Sequence, residues 1–438
     1  MLRPPARPFL AVVVLVAAAR PPAAAQDTLP RGVRIGISYT TDRPGVVVLP
    51  IGGVEGDSVR AIIQRDLDFG DRVAVVGQDA LPASSAGDGA PLNYQLLARL
   101  GAAAAVQATM TGAGVHVVLH DVAAKRVAEV EDFALRGAAL GRDWRHAVHG
   151  VSDAVEEWVT GVRGVAQTRV AYARRSELRV VDSDGAGDIR IPVAGNALSP
   201  AWSPTGEALA FNTFGLRSEV LVLDLRTGRA RVVSATQGGV NQTPAFAPDG
   251  RSLVYSHAYE SGEGSDLFVV DLDGQGPARR ITVARGTINV SPTFSPDGRR
   301  LAFTSSRSGH PEVYVMDADG TNAELLTPYV FGEQSYQSNP DWSPDGRLVA
   351  YQSQIAGRFQ VKTINLRDRT TRQLTSDGEN EDPSWGPDGR HLVFASSRTG
   401  AKELWVMDVE TGRARQLTRG GGARLPSWSR RLRSAPSP

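Results

Sequence analysis

Hydrophobic and polar positions follow two different patterns along this chain. From about residue 165 onward the pattern is strand-like and repeated, and one phrase occurs six times. It reads Ser199-Pro200-Ala201-Trp202-Ser203-Pro204-Thr205-Gly206 and recurs at 243–250, 291–298, 339–346 and 382–389, with a truncated copy at 425–429. The phrase prolines Pro200, Pro244, Pro292, Pro340, Pro383 and Pro426 stand 43–48 residues apart, the period of a propeller blade. Each period parses into four strands. The phrase is a short strand ending in a Pro-Asp-Gly type of turn, with glycine at the awkward backbone angle. A second strand follows, as at 301–305, then a third at 312–316. The turn Asp317-Ala318-Asp319-Gly320 then leads into a fourth. Before the first copy stand strands without a phrase, at 169–173, 178–182 and 189–193, and the last copy has no strands after it. The two chain ends therefore share a closing blade, and the count is six.

Residues 26–164 follow another pattern. Strands are predicted at 33–37, 46–51, 72–76, 103–111, 115–120 and 126–133, with a turn at Gly112-Ala113-Gly114. Helices are predicted at 54–67, 92–100 and 144–159, the last ended by the glycines of 161–164. The fold class is thus an α/β N-terminal domain followed by an all-β six-bladed β-propeller at 165–430, with a disordered tail at 431–438.

The first residues set the compartment. Arg3 and Arg7, the uncharged apolar run at 9–19 and Ala23-Ala24-Ala25 form a signal-peptide pattern, with cleavage expected after residue 25. The run is too short to span a bilayer, which needs about 20 apolar residues. No later stretch is long and apolar enough to do so either, and no direct membrane insertion is expected. Cysteine is absent, which excludes disulfides, thiol catalysis and a lipidated N-terminal cysteine. The net charge is +1, so no global field attracts nucleic acid.

The junction carries a family likeness. Trp144-Arg145-His146-Ala147-Val148-His149-Gly150-Val151-Ser152-Asp153, then Thr160-Gly161-Val162-Arg163-Gly164, then Thr168-Arg169-Val170-Ala171-Tyr172 resemble the helix, exit and first propeller strand of the TolB family. Signal, α/β domain and six blades also follow that family's order. The resemblance implies a periplasmic, non-enzymatic component of the bacterial Tol-Pal system, monomeric and without cofactor. It implies binding of the lipoprotein Pal across one propeller mouth. It implies binding of TolA through the N-terminal segment, here Val33, Arg34, Ile35, Gly36 and Ile37. It further implies support of outer-membrane integrity and of envelope invagination at division. The leader at 26–32 and Ser38-Tyr39-Thr40-Thr41 depart from the family, which bears on TolA contact.

The propeller offers a binding face of its own. Residues just before each phrase proline begin an innermost strand and ring one mouth. They include Asn196, Asn241, Gln242, Thr243, Asn289, Gln337, Asn339, Asn380, Glu381 and Arg424. The loop that carries Tyr329 and Phe331 is longer than its counterparts, and its aromatics suit a protein interface. Together these twelve residues are the expected Pal-binding rim; the alternative is that the polar ones cap strand ends. The aromatics Trp202, Phe246, Phe294, Trp342, Trp385 and Trp428 read as packing between blades.

Metal and enzyme signals are weak. Asp182-Ser183-Asp184-Gly185 with Asp188 resembles part of a calcium loop but lacks its spacing and distant Glu, and reads as a turn. His116 with His120, and His146 with His149, share faces but lack an evident third ligand. There is no G-x-S-x-G, H-E-x-x-H or P-loop. The remaining alternatives are a propeller hydrolase or lactonase with channel calcium, and another envelope scaffold.

Overall fold

Strand β1 (Gly45–Val48) is buried along its whole length, because helices cover both faces of its sheet. In the computed structural model, residues 43–77, 92–215, 217–235, 238–274, 276–283, 286–328 and 336–431 are described. The expected signal peptide, the segment Val33 to Ile37, the aromatics Tyr329 and Phe331, and all of the expected tail except Arg431 lie outside them. Helix α1 (Gly56–Phe69), strand β2 (Ala74–Val75), helix α2 (Tyr94–Arg99), strands β3 (Ala104–Thr111), β4 (Gly114–Asp121) and β5 (Arg126–Ala134), and helix α3 (Arg142–Thr160) complete this part. The sheet order is β2-β1-β3-β4-β5, with β1 parallel to β2 and β3 and the rest antiparallel.

Helix α3 places Trp144, Val148, Val151, Val155 and Val159 on one stripe, which packs with Val59, Ile62, Ile63 and Leu67 of α1 over the sheet. Gly161, at φ 77°, ends α3 and donates its N–H to the Glu157 carbonyl at 2.8 Å. On the other face Val47, Leu49 and Ala105 meet Leu97 of α2. No helix among the described residues is long and apolar enough to cross a membrane.

Six four-stranded sheets follow. Blades 1 to 5 have the innermost strands Asn196–Trp202, Val240–Phe246, Asn289–Phe294, Gln337–Trp342 and Asn380–Trp385. Blade 6 is made by both ends: its innermost strand, Ala423–Trp428, pairs with Arg169–Arg174, which pairs in turn with Glu177–Asp182 and Ile189–Arg190. The shared closing blade read from the orphan strands is therefore present. The turns are also as expected: Gly206, Gly250, Gly298, Gly346 and Gly389 have φ between 67° and 75°.

Each seam between neighbouring blades holds its own apolar cluster, and the blade 5–6 and 6–1 seams are as well filled as the others. Trp202, Trp342, Trp385 and Trp428 are buried there, as the packing reading requires. A second ring of aromatics escaped the sequence reading. Tyr172, Phe211, Tyr255, Phe303, Tyr351 and Phe394 occupy one position in the second strand of every blade, each at most 1% exposed.

Candidate functional site: the propeller channel, its mouths and the domain seam

The innermost strands do not run straight into the channel. Just before each phrase proline one residue lies in the left-handed region: Ser199, Thr243, Ser291, Asn339, Asp382 and Leu425, at φ 47–53°. The strand register slips at each of these positions. One extra residue is thus inserted into every innermost strand. Proline then follows where no N–H is needed for the ladder. These bulge residues line a cavity of about 190 Å³ in the channel.

Side chains of this layer tie each blade to the next. Ser291 Oγ donates to Asn339 Oδ1 at 2.8 Å, and Asn339 Nδ2 donates to Asp382 Oδ1 at 2.6 Å. The Leu425 N–H donates to Asp382 Oδ2 at 3.1 Å. One layer deeper, Thr293 donates to Asp341 Oδ1 at 3.2 Å, and the Trp385 N–H donates to Asp341 Oδ2 at 2.7 Å. Burial pushes the Asp341 carboxyl up to about 6 and also raises Asp382.

At the mouth where the innermost strands begin, the front mouth, four of the ten polar residues expected to ring it are buried instead. Asn241, Asn289 and Asn380 are fully buried, and Gln337 is nearly so. Each of the three asparagines reaches back to the preceding blade. Asn241 Nδ2 donates to the Ser218 carbonyl at 3.0 Å, and Asn289 Nδ2 to the Ser265 carbonyl at 2.9 Å. Asn380 Nδ2 donates to Gln360 Oε1 at 2.9 Å. Arg307 and Arg398 complete the clamp by donating to the Oδ1 of Asn289 and Asn380 at 3.2 and 3.0 Å. Each guanidinium lies over an aromatic ring, Tyr314 at 4.8 Å and Trp405 at 4.7 Å. These asparagines cap strand starts, because a buried carboxamide must find partners within the protein.

Asn196 and Arg424 are exposed at this mouth, and Gln242, Thr243, Asn339 and Glu381 are partly so. Glu381 is paired with Lys402. Beside blades 1 and 2 lies a groove of about 560 Å³ that Phe214, Arg217, Tyr259 and Glu260 help to line.

The α/β domain lies on the other side, against turns of blades 5 and 6 at the rear mouth. Arg413 donates to Asp68 at 2.7 Å and to Asp71 at 2.9 Å, and Arg415 lies over the Phe69 ring at 4.0 Å. Arg72 bridges Glu156 at 3.3 Å and Asp388 at 3.2 Å. Asp184, in the blade 6 turn, accepts from Arg65 and from Arg145. His149 Nε2 stands 3.6 Å away from it. The turn reading of 182–185 holds, with the Gly185 N–H bonded to the Asp182 carbonyl at 2.9 Å. Its role as an anchor for the α/β domain had no sequence signal, since an Asp-x-Asp-Gly turn also occurs elsewhere in the chain.

The seam perturbs several groups. Burial alone would lower His149, but Asp66, 2.7 Å from Nδ1, and Asp184 raise it overall. Burial pushes Glu156 up to about 8 and Asp153 up to about 7. Burial and the Arg169 charge bring His146 down to about 3. Asp66, His149 and Asp184 lie close enough to share a cation, as do Asp71, His391 and Asp408. Arginines fill both places instead: Arg65 and Arg145 at Asp184, Arg413 at Asp71, and Arg390 at Asp408. The paired histidines of the sequence do not converge either. His116 meets Asp132 at 2.7 Å, while His120 meets Tyr94 and Gln107, each at 3.1 Å. Among the described residues no histidine lines the channel, so its serines lack the adjacent base of a Ser–His nucleophile.

A β-propeller with an α/β domain on its rear face is an architecture with no single chemistry. The family is narrower. The TolB beta propeller domain matches residues 156–432, and the chain belongs to that family. It is 31% identical over 258 residues to the Tol-Pal system protein TolB of Gluconobacter oxydans, covering 56% of this chain and 54% of the relative. It is 35% identical over 207 residues to the protein of that name from Actinobacillus pleuropneumoniae serotype 5b, covering 44% and 48%. The chain thus spans about half the length of these curated relatives. The crystal structure of TolB from Acinetobacter baumannii is similar with a TM-score of 0.76 at 26% identity, over 89% of this chain and 97% of that one.

Proposed function

We propose that this chain is a periplasmic, non-enzymatic protein-binding component of the Tol-Pal system. It binds the lipoprotein Pal at the front mouth and TolA through the segment of Val33, Arg34, Ile35, Gly36 and Ile37. By linking the two it supports outer-membrane integrity and envelope invagination during division. The observation that carries this reading is the likeness to the A. baumannii TolB structure, which runs through both the α/β domain and the propeller. The front mouth supports it as well. The α/β domain contacts the rear, and Asn196, Gln242 and Arg424 are accessible at the front. Tyr329 and Phe331 complete the proposed Pal surface. The buried Asn241, Asn289 and Asn380 serve it indirectly, by holding the strand starts in place.

The test is a pull-down with Pal and TolA from the same organism, with the chain as bait. Capture of both is expected. Capture of neither by folded protein overturns the reading. Loss of TolA alone on deleting residues 26–37 assigns that contact to the segment, and unchanged capture removes it.

A further inference from the structure

We propose that the closing blade carries the electrostatic contact of the front mouth: an arginine cluster around Gly420-Gly421-Gly422 that receives an acidic surface of a protein partner. This rests on the reading above, that a protein binds at the front mouth.

The three glycines have φ of 109°, 77° and 77°, and the one side chain between Arg419 and Arg424 is the buried methyl of Ala423. Arg174 Nη2 donates to the Arg419 carbonyl at 2.9 Å. A Cβ placed on Gly422 would meet Arg175 Cγ at 3.5 Å. Four arginines therefore gather round one glycine loop. Arg174 is held by Asp188 at 3.1 Å and lies over the Tyr172 ring. Arg175, Arg419 and Arg424 are exposed. None of these three makes an ion pair among the described residues.

Two nearby carboxylates pair with Arg174, Asp188 at 3.1 Å and Glu403 at 3.9 Å, and neither pairs with Arg175, Arg419 or Arg424. Asp188 accepts from Tyr172, Arg174 and Arg179. Glu403 accepts from Thr418 and from the Gly421 N–H. Glu381 holds Lys402. At the seam, by contrast, Arg72, Arg390 and Arg413 all have carboxylate partners. With a net charge of only +1, the positive surplus on blade 6 is local. Such a patch steers a complementary surface and fixes its orientation. Arginine's planar fork suits carboxylates. The same mouth also exposes Ile288, 46% accessible, and Tyr336, 41% accessible, and opens into the groove beside Phe214 and Tyr259. Aromatic and apolar groups exposed at the same mouth suit a protein surface better than a small free anion.

The test titrates the chain with Pal of the same organism at low and high salt. It uses wild type, R419S/R424S, and R358S, which removes an exposed arginine from the blade 4 turn of the same mouth. The double variant should weaken binding about tenfold, flatten the salt dependence and exceed any loss in R358S. R419K/R424K should restore much of the affinity, and thermal unfolding should be the same for all four proteins. Binding within about twofold of wild type in R419S/R424S, or a loss no larger than that of R358S, overturns the inference and leaves the mouth reading standing. If folded wild type binds no Pal, the mouth reading falls. A fluorescent polyglutamate peptide then decides the cluster: selective loss of its binding in R419S/R424S sustains it, and equal binding overturns it.

Discussion

Arg145 of α3 donates a 2.5 Å hydrogen bond to Asp184 in a turn of the closing blade. The Asp184 side chain is 1% exposed and also neutralises Arg65, so two arginines of the α/β domain converge on one buried carboxylate of the propeller. Asp184→Asn would leave these cations facing a neutral amide. Because Arg65 is partly exposed, the expected cost is about 3 kcal/mol, at the low end for a broken buried pair. Urea unfolding measures it. A loss below about 1 kcal/mol, the scale of an exposed pair, would show that Asp184 is dispensable to the seam.

Glu156 gives the seam a pH dependence. Its carboxyl is raised to about 8 by burial and the neighbouring Asp153; Arg72, shared with Asp388, only partly offsets them. A carboxyl raised in the folded state holds a proton that the unfolded chain releases. Stability from Glu156 and Asp153 is therefore fully present below the ordinary carboxyl range and falls as pH rises toward 7 to 8. His149, also raised, acts in the same direction. Glu156→Gln cannot ionise, so the variant should lose less stability than wild type between pH 6 and pH 9. Parallel urea midpoints across that range for the two proteins would count against a protonated Glu156.

Trp428 tests the closure. It is 6% exposed, packs in the blade 5–6 cluster, and its Nε1 donates to Thr168 Oγ1 at 2.8 Å. Trp428→Ala should cost about 3–5 kcal/mol. It should also open the ring to limited proteolysis near residues 165–175. A mild loss without new cleavage there would mean that the ring does not depend on this strand.

Leu425 is the exception among the six bulge residues. The others are Ser199, Thr243, Ser291, Asn339 and Asp382, short polar side chains, whereas Leu425 holds φ 53° with an aliphatic one. Asparagine tolerates this region better, and Leu425→Asn should stabilise the protein by about 0.5–1 kcal/mol. A lowered unfolding midpoint would show that packing of the leucine outweighs its backbone strain.

Much of the architecture was legible in the sequence because it rests on local rules. The proline-to-glycine turn, the period of the phrase and the apolar start of the second strand, as at Leu301 to Phe303, are each set within a few residues. The orphan strands before Ser199 declare the closing blade by elimination. The ring of Tyr172, Phe211, Tyr255, Phe303, Tyr351 and Phe394 was equally periodic, and counting second-strand aromatics would have found it. The left-handed residue before each phrase proline was less accessible, since Ser, Thr, Asn and Asp also suit an ordinary strand end.

The sequence by itself determined six blades, their turns, an α/β domain with a long amphipathic helix, and a closing blade built from both ends. Only the tertiary structure decided which polar residues face water. Asn241, Asn289 and Asn380 stand at strand starts that read as a polar rim, yet all three are fully buried. The preceding blade offers each of them a partner: the Ser218 carbonyl receives the Asn241 amide, the Ser265 carbonyl that of Asn289, and Gln360 Oε1 that of Asn380. In the same way Asp184 became an anchor because folding brings Arg65 and Arg145, 119 and 39 residues away, onto one carboxylate. Burial and pairing of charge depend on neighbours distant in the chain, and a local pattern carries no record of them.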